Sequence, residues 1–359
     1  MYFAVIGNHP HIALKELALA EVFQIEKRTD HLFTFSCKRP EKLPQIASLV
    51  KWGVIVEVFK AEHYFNGKRL LWTADSSLGI NWKKKYHFKR FKKVDLLHTD
   101  REIKEKGVEI LPFPRMKGFV WVVQGYQNIP LYECIDFEKP ARSMQVGMMP
   151  AKLTHTLINL ALQEVFLKDA KGCPVIRDPF CGTGTTWFLV NSFWYDFVGS
   201  DLKIWLAEKN AQRWKSRPEF HDQLFDFFEQ DISKPLERTT HTEALLQHPT
   251  AIVTEGRLWP VIKQTTTIEQ LLEYQRWVKN LYVQFLQTVA DFFRWNHGQL
   301  PVLVFTIPVY TTLNAQQLTI EKEVTALATK LGWNVEALEE AYQREGQKVA
   351  RKIMMLRSL

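Results

Sequence analysis

Three aspartates and a glycine turn carry the clearest chemistry in this chain. Residues 175–190, VIRDPFCGTGTTWFLV, run apolar as far as Asp178, turn through Gly182 and Gly184, and become apolar again. Asp201 closes the next apolar run, FVGSD, and Asp231 the one after it, FFEQD. A glycine turn between strand and helix lets backbone come close to a ligand. This one has no lysine after Gly184, so it is not a phosphate-binding loop, and Trp187 stands where the dinucleotide G-x-G-x-x-G pattern needs its last glycine. Carboxylates at three successive strand ends suit a cationic, hydroxyl-rich ligand better than a diphosphate. S-adenosylmethionine has that character, with a sulfonium, an ammonium and a ribose diol. On this reading Asp178 lies near the methionine moiety, and Pro179, Phe180, Gly182, Thr183 and Gly184 form the turn beside it. Asp201 accepts from the ribose hydroxyls, the usual task of an acid about twenty residues further on. Asp231 orients the adenine amine. Taken singly, each aspartate reads as readily as a helix cap or a solvated loop residue.

These residues need a scaffold, and the pattern around them supplies one. From residue 173 onward apolar strands alternate with helices: CPVIRD, TTWFLVNSF, FVGSD, KIWLAEKNAQRW, FFEQD and TAIVTE. A long helix, IEQLLEYQRWVKNLYVQFLQTVADFFRW, leads to PVLVFTIPV, then to IEKEVTALATKLG and two closing strands. Such alternation predicts an α/β, Rossmann-like doubly wound sheet, here with an antiparallel terminal strand. Residues 1–130 read instead as a small α+β domain. Its strands are YFAVIG, HLFTFSC, WGVIVEVF and GFVWVVQ, with helices through IALKELALAEVF and EKLPQIASLV and a short helical piece at DREIKEKGVEIL. Residues 131–172 read as a proline-bounded linker followed by a helix through THTLINLALQEVF, and residues 173–359 as the catalytic domain.

Composition narrows the class. No run is apolar over the ~18–20 residues a membrane helix needs, and the start lacks a basic leader, so the expectation is a soluble, cytoplasmic protein. Four scattered cysteines with no C-x-x-C pair predict neither a disulfide scaffold nor a metal site. Residues 1–130 hold 22 Lys and Arg against 13 Asp and Glu, so the whole chain's net +8 arises there. Seven basic residues fall within KKKYHFKRFKK: Lys83, Lys84, Lys85, Lys89, Arg90, Lys92 and Lys93. Interleaved aromatics make this run a candidate RNA contact, although a solvated helix with its aromatics packed inward fits as well. His155 reads as a packed histidine, Cys181 as a small packing residue, and Trp194, Trp205, Trp214 and Trp277 as core or helix-face residues.

The DPFCGTGTT turn, with ARSMQVGMMPAKLTHTLINLAL before it, resembles the THUMP-associated RNA methyltransferases, in particular the tRNA guanosine-N2 methyltransferase group. Pro140, Arg142, Gly147, Met148, Pro150 and Leu153 fit that family's segment ahead of the domain, and YQREGQKVARKI resembles its C-terminal ending. The resemblance covers about residues 130–359 and is loose before them, where the opening fits the family's ferredoxin-like piece. It implies that residues 144–152, Met149 among them, cover the cofactor, and it implies tRNA as the partner.

Enzymes that methylate exocyclic amines usually end their fourth strand on [D/N]-P-P-[Y/F]. The amine's lone pair is delocalised into the base, so an oxygen and a carbonyl must hold its hydrogens while an aromatic ring stacks on the flipped base. Here the sequence is VTEGRLWP. Glu255 takes the aspartate's place to orient the amine, Arg257 meets a phosphate or base edge, and Trp259 stacks the base one position late. Gly256, in place of proline, would loosen the turn. Two readings stand beside an active RNA enzyme: a degenerate protein that binds cofactor or RNA only, and a DNA amino-methyltransferase.

Overall fold

The computed structural model describes residues 1–64, 70–72, 92–93, 107–111, 119–142, 149–166, 173–256, 266–296, 298–311, 317–344, 347 and 349–358. Contacts divide the chain into two units, Met1–Gln127 and Asn128–Leu359.

Among its described residues the first unit has one eight-stranded sheet. Its strands are β1 (Tyr2–Ile6), β2 (Val22–Thr29), β3 (Leu32–Cys37), β4 (Leu49–Glu57), β5 (Leu70–Trp72), β6 (Lys92–Lys93), β7 (Gly107–Leu111) and β8 (Phe119–Tyr126). They lie in the order β2-β3-β1-β4-β8-β7-β5-β6. The first four strands, with helix α1 (Pro10–Leu17), keep the β-α-β-β-α-β ferredoxin-like order, but a 3-10 helix, Pro40–Gln45, replaces the second helix. Ala4, Ile6, Phe33 and Phe35 close against Ala13 and Leu17 of α1. On the same helix, buried Glu16 accepts from the Ala47 and Ser48 amides at 2.6 and 3.0 Å, fixing the chain's entry into β4.

Local propensity misreads three pieces here. The expected helix IALKELALAEVF ends early: Glu21 takes a left-handed φ of +50°, and Val22–Thr29 pairs antiparallel with β3 instead. The expected helix EKLPQIASLV shortens to the 3-10 turn because Pro44 can donate no helical hydrogen bond and Leu49 joins β4. The end of DREIKEKGVEIL is a strand, β7, since Ile110 and Leu111 pair with β8.

The second unit opens with α2 (Ile129–Phe137), a helix not predicted from the sequence, and α3 (Ala151–Phe166), the helix expected through THTLINLALQEVF. Asn128 caps α2 by accepting from the Leu131 amide at 3.3 Å. Then come β9 (Val175–Asp178), α4 (Thr185–Ser192), β10 (Asp196–Asp201), α5 (Trp205–Trp214), β11 (Phe225–Glu229), α6 (Thr240–Gln247) and β12 (Thr250–Thr254). Helix α7 (Ile268–Asn296), β13 (Val302–Thr311), β14 (Gln317–Thr319), α8 (Glu321–Lys330), β15 (Trp333–Tyr342) and β16 (Val349–Ser358) complete it. The sheet order is β11-β10-β9-β12-β13-β16-β15. Strands β9 to β13 run parallel, whereas β16 is antiparallel to both β13 and β15. Numbered from β9, with β14 set aside as a side strand, the order is 3-2-1-4-5-7-6 with a reversed seventh strand, the Rossmann-like methyltransferase fold.

Fully buried strands read as continuous apolar runs, and β12 and β13 do so. Helix α3 packs over β12 and β13 and against α4. On the core that includes α7, Phe285, Leu286 and Val289 meet Val175, Val198, Ile252 and Leu303 of the sheet. Trp214 is buried in this unit, while Trp194, Trp205 and Trp277 are exposed. Buried His155 meets the Tyr132 hydroxyl at 2.8 Å through Nδ1 and stacks on Phe193, as a packed histidine should. Among the described residues, no helix is long and apolar enough to cross a membrane.

Candidate active site

In an open α/β sheet, ligands collect at the carboxyl ends of the strands where the order reverses. That point lies between β9 and β12, neighbours in the sheet but separated by two strands in sequence. β9 ends on Asp178 and β12 leads directly into Glu255. The fold therefore sets the glycine turn beside Glu255 and Gly256, the described part of the atypical motif after β12.

The turn is held by its own acids. Buried Asp178 accepts from the Phe180 amide at 3.1 Å and from the hydroxyl of Thr186. Burial pushes its carboxyl up to about 6, against the lowering effect of hydrogen bonds from Thr186, Thr254 and Phe180. Asp201 accepts from Gly182 N–H at 3.0 Å and from Lys203 N–H at 2.9 Å, bracing the turn from the end of β10. Gly182 and Gly184 have φ of +51° and +84°, and Gly184 is the N-cap of α4. A side chain would be strained at either place. Pro179, Gly182, Thr183 and Gly184 are buried, and half-buried Phe180 meets Phe285 edge-on with centroids 5.6 Å apart. Cys181 is buried, and burial carries its thiol well above the ordinary range, in keeping with a packing residue.

Asp231 is placed differently. It lies two residues beyond β11 and accepts from the amide and hydroxyl of Ser233 at 3.0 and 2.7 Å. These bonds hold its carboxyl below the ordinary range, so it is ionised and partly open to solvent.

Two contributors are not apparent in the sequence pattern. Lys139, just after α2, is buried, and its ammonium donates to Thr183 Oγ1 at 3.2 Å and Thr185 Oγ1 at 2.5 Å. Asn210 of α5 accepts from Ala141 N–H at 2.8 Å and donates to the carbonyls of Ala141 and Thr183, both at 2.9 Å. Together they tie the segment before the domain to the glycine turn. Asn210 does leave one trace, because it is the polar residue on the otherwise apolar face formed by Leu206, Ala207, Ala211 and Trp214. Met149, from the same upstream segment, is buried.

At the end of β12 the structure changes the expectation for Gly256. Its φ is +65°, which proline cannot adopt, and a Cβ there would run into the hydroxyl of Tyr282. Gly256 is thus required by a tight turn and does not loosen it. The Tyr282 hydroxyl donates to the Glu255 carbonyl at 3.0 Å, and Thr306 Oγ1 donates to the same oxygen at 3.0 Å. The Glu255 carboxylate is buried and accepts from Arg351 Nε at 2.5 Å. Burial raises its pKa, and Arg351 and Arg344 oppose that rise. Gln347 bonds Arg351 at 2.9 Å. Within YQREGQKVARKI, Arg351 thus holds Glu255, Gln347 holds Arg351 and Arg344 acts on Glu255 through its charge, a role that spacing along the chain could not show. Arg257 and Trp259 lie outside the described residues, as do Lys83, Lys84, Lys85, Lys89 and Arg90. Lys92 and Lys93 form β6, paired with Leu70 and Leu71.

No family model matches the chain, and no curated protein matches it. Solved structures are similar at low identity. TrmN from Thermus thermophilus is 14% identical, covering 99% of this chain and 100% of that one, with a TM-score of 0.46. Magnesium protoporphyrin IX methyltransferase (ChlM) from Synechocystis PCC 6803, with bound SAM, is 12% identical over 64% of this chain and 94% of that one, with a TM-score of 0.37. Precorrin-6y C5,15-methyltransferase from Geobacter metallireducens is 10% identical over 62% and 96%, with a TM-score of 0.35.

Proposed function

We propose that this chain is an S-adenosylmethionine-dependent RNA methyltransferase that modifies an exocyclic amine, with N2 of guanosine in tRNA as the target. The observation that carries the reading is the meeting, at one switch point, of the glycine turn after β9 and the acid after β12. The residues fit such a cofactor: two glycines with left-handed backbone admit close approach, and acids stand at the ends of β9 and β10. Bound there, the cofactor would supply a methyl group activated by its sulfonium. Asp201 would hold the ribose diol while bracing the turn, and ionised Asp231 would accept from the adenine amine. Asp178 would act mainly through the turn it closes, since its carboxyl is already engaged there. Pro179, Phe180, Thr183 and Met149 would wall the site.

Glu255, clamped by Arg351, would hold a hydrogen of the target amine so that its lone pair aims at the methyl carbon, with Trp259 stacking on the base and Arg257 meeting its edge or a phosphate. A neutral amine with a delocalised lone pair needs orientation more than prior deprotonation. The +9 excess of residues 1–130, including the basic run at 83–93, would hold the polyanion. A specific observation favours one other reading. The Glu255 carboxylate and carbonyl are both engaged within the protein, as they would be in a chain that binds cofactor and RNA without transfer.

Labelled methyl transfer to unmodified total tRNA, and to duplex DNA, tests this. Wild type is expected to label tRNA, with Glu255→Ala and Asp201→Ala both failing. Cofactor binding that depends on Asp201, without labelling of either nucleic acid, would replace the enzyme with a binding protein.

A further inference from the structure

Helix α5 leaves the edge of the glycine turn with an outer face that the fold does not use. Asp201 braces the turn, and the chain then passes through Leu202 and Lys203 into Trp205–Trp214. The inner face buries Leu206, Ala207, Ala211 and Trp214 around Asn210. On the outer face Trp205, Lys209 and Arg213 follow one another at a spacing of four, so they form one stripe along the helix. Trp205 is 57% exposed and Leu202 before it 56%. A single exposed apolar side chain is ordinary on a protein surface, whereas two of them among cations that lack an acid ask for a partner.

Among the described residues, Lys203, Lys209 and Arg213 form no ion pair, although the nearby Arg217 is bound to Glu138. Glu208, the acid of this helix, stands about 100° round the axis from Lys209. The segment before α3 adjoins the stripe. Ala141 is bonded to Asn210 in both directions, which sets Arg142 beside α5. Arg142 also meets no carboxylate. Its guanidinium lies 5.9 Å from the ring of Phe137, which is 62% exposed, and donates to the Phe137 carbonyl at 3.3 Å.

Residues 131–359 are close to neutral as a whole, so these cations are a local concentration and not a share of a general excess. Their chemistry selects the partner. Phosphates take unpaired cations, and unpaired bases stack on exposed flat rings, so the combination fits a single-stranded nucleic acid. An acidic peptide would match the charges but brings no run of flat rings to the aromatics.

We infer that the outer face of α5, with Lys203, Trp205, Lys209 and Arg213 and the adjoining Phe137 and Arg142, binds a single-stranded segment of the RNA substrate next to the site. This rests on the RNA reading above and gives the second unit its own contact with that substrate.

Binding of a labelled, unmodified tRNA transcript by the full chain, read by fluorescence anisotropy over a range of salt, tests it. Trp205→Ala is expected to weaken binding about tenfold, within the worth of one stacked base, at an unchanged salt slope. Trp205→Tyr should keep most of the affinity. Lys209→Ala with Arg213→Ala should weaken binding and lower the slope of log K against log salt by about 1.4, at ~0.7 for each single-strand phosphate. Lys322→Ala with Lys330→Ala, two exposed cations of α8, should change neither quantity. The substituted side chains are all exposed, so the urea midpoint should hold in every variant. Wild-type affinity and slope in both α5 variants, or equal losses in the α8 pair, overturn the α5 surface and leave the RNA reading intact. Failure of wild type to bind the transcript overturns both. Because the readout is binding, it does not depend on methyl transfer.

Discussion

A single carboxyl sets the balance between stability and function at the glycine turn. Asp178 is buried, and its folded pKa is about 6 against an ordinary 3.8. A raised carboxyl binds its proton more tightly when folded. Its contribution to stability is therefore complete below 3.8 and is lost as pH climbs through 6. A rise of that size corresponds to about 3 kcal/mol as an order of magnitude. Asp178→Asn should flatten the stability–pH curve between those limits, as read from urea midpoints across that range. An unchanged slope in the variant would mean that another group titrates there. The acid was legible in the sequence from its place before the turn. Its environment was not, because Thr186 and Thr254 reach it from α4 and β12.

At the scale of elements, strand β9 holds an anomaly. Its four residues are all buried, and Arg177 pairs in register with Val198 and Ile252, on the apolar side shared with Val175. Among the described residues, none offers a hydrogen-bond acceptor to any of the three guanidinium nitrogens of Arg177, and burial draws its pKa down to about 10. A charge in such a place costs folding energy that a side chain of similar volume would not. Arg177→Met should raise stability by about 1–4 kcal/mol, seen as a higher urea midpoint at unchanged slope. A fall in the midpoint would show that an anion or water satisfies the guanidinium in solution. The alternating pattern announced β9 as a buried strand without revealing that one of its faces had accepted a cation. The same pattern misjudged β2. Pairing with β3 overrode the helix-forming look of ALAEVF at Val22 and Phe23, since this edge strand gains ladder bonds to β3 at alternate residues that a frayed helix end lacks.

For the whole molecule, charge asymmetry is the property most open to test. The basic excess lies within residues 1–130, and the remainder is close to neutral. If that part grips RNA, affinity should fall steeply with salt, by roughly 10³-fold or more between 50 and 200 mM for six or more phosphate contacts. Titration of tRNA binding across that range checks it. A flat response would move recognition away from phosphate contacts.

Sequence alone determined what depends on near neighbours. The alternation of strands and helices after residue 173, the glycine turn at 182–184 and the acids ending successive strands are written in spacing and residue type. Tertiary structure decided which distant groups meet. Arg351 reaches Glu255 across 96 residues of chain, Asn210 reaches Ala141 across 69, and Lys139 reaches Thr183 across 44. A buried polar group is stabilised by whichever partner the packed chain brings beside it, and local pattern carries no record of that choice. Gly256 shows the same division. The sequence offers a glycine where proline was expected, and only the left-handed φ and the nearby Tyr282 hydroxyl explain why no other residue fits.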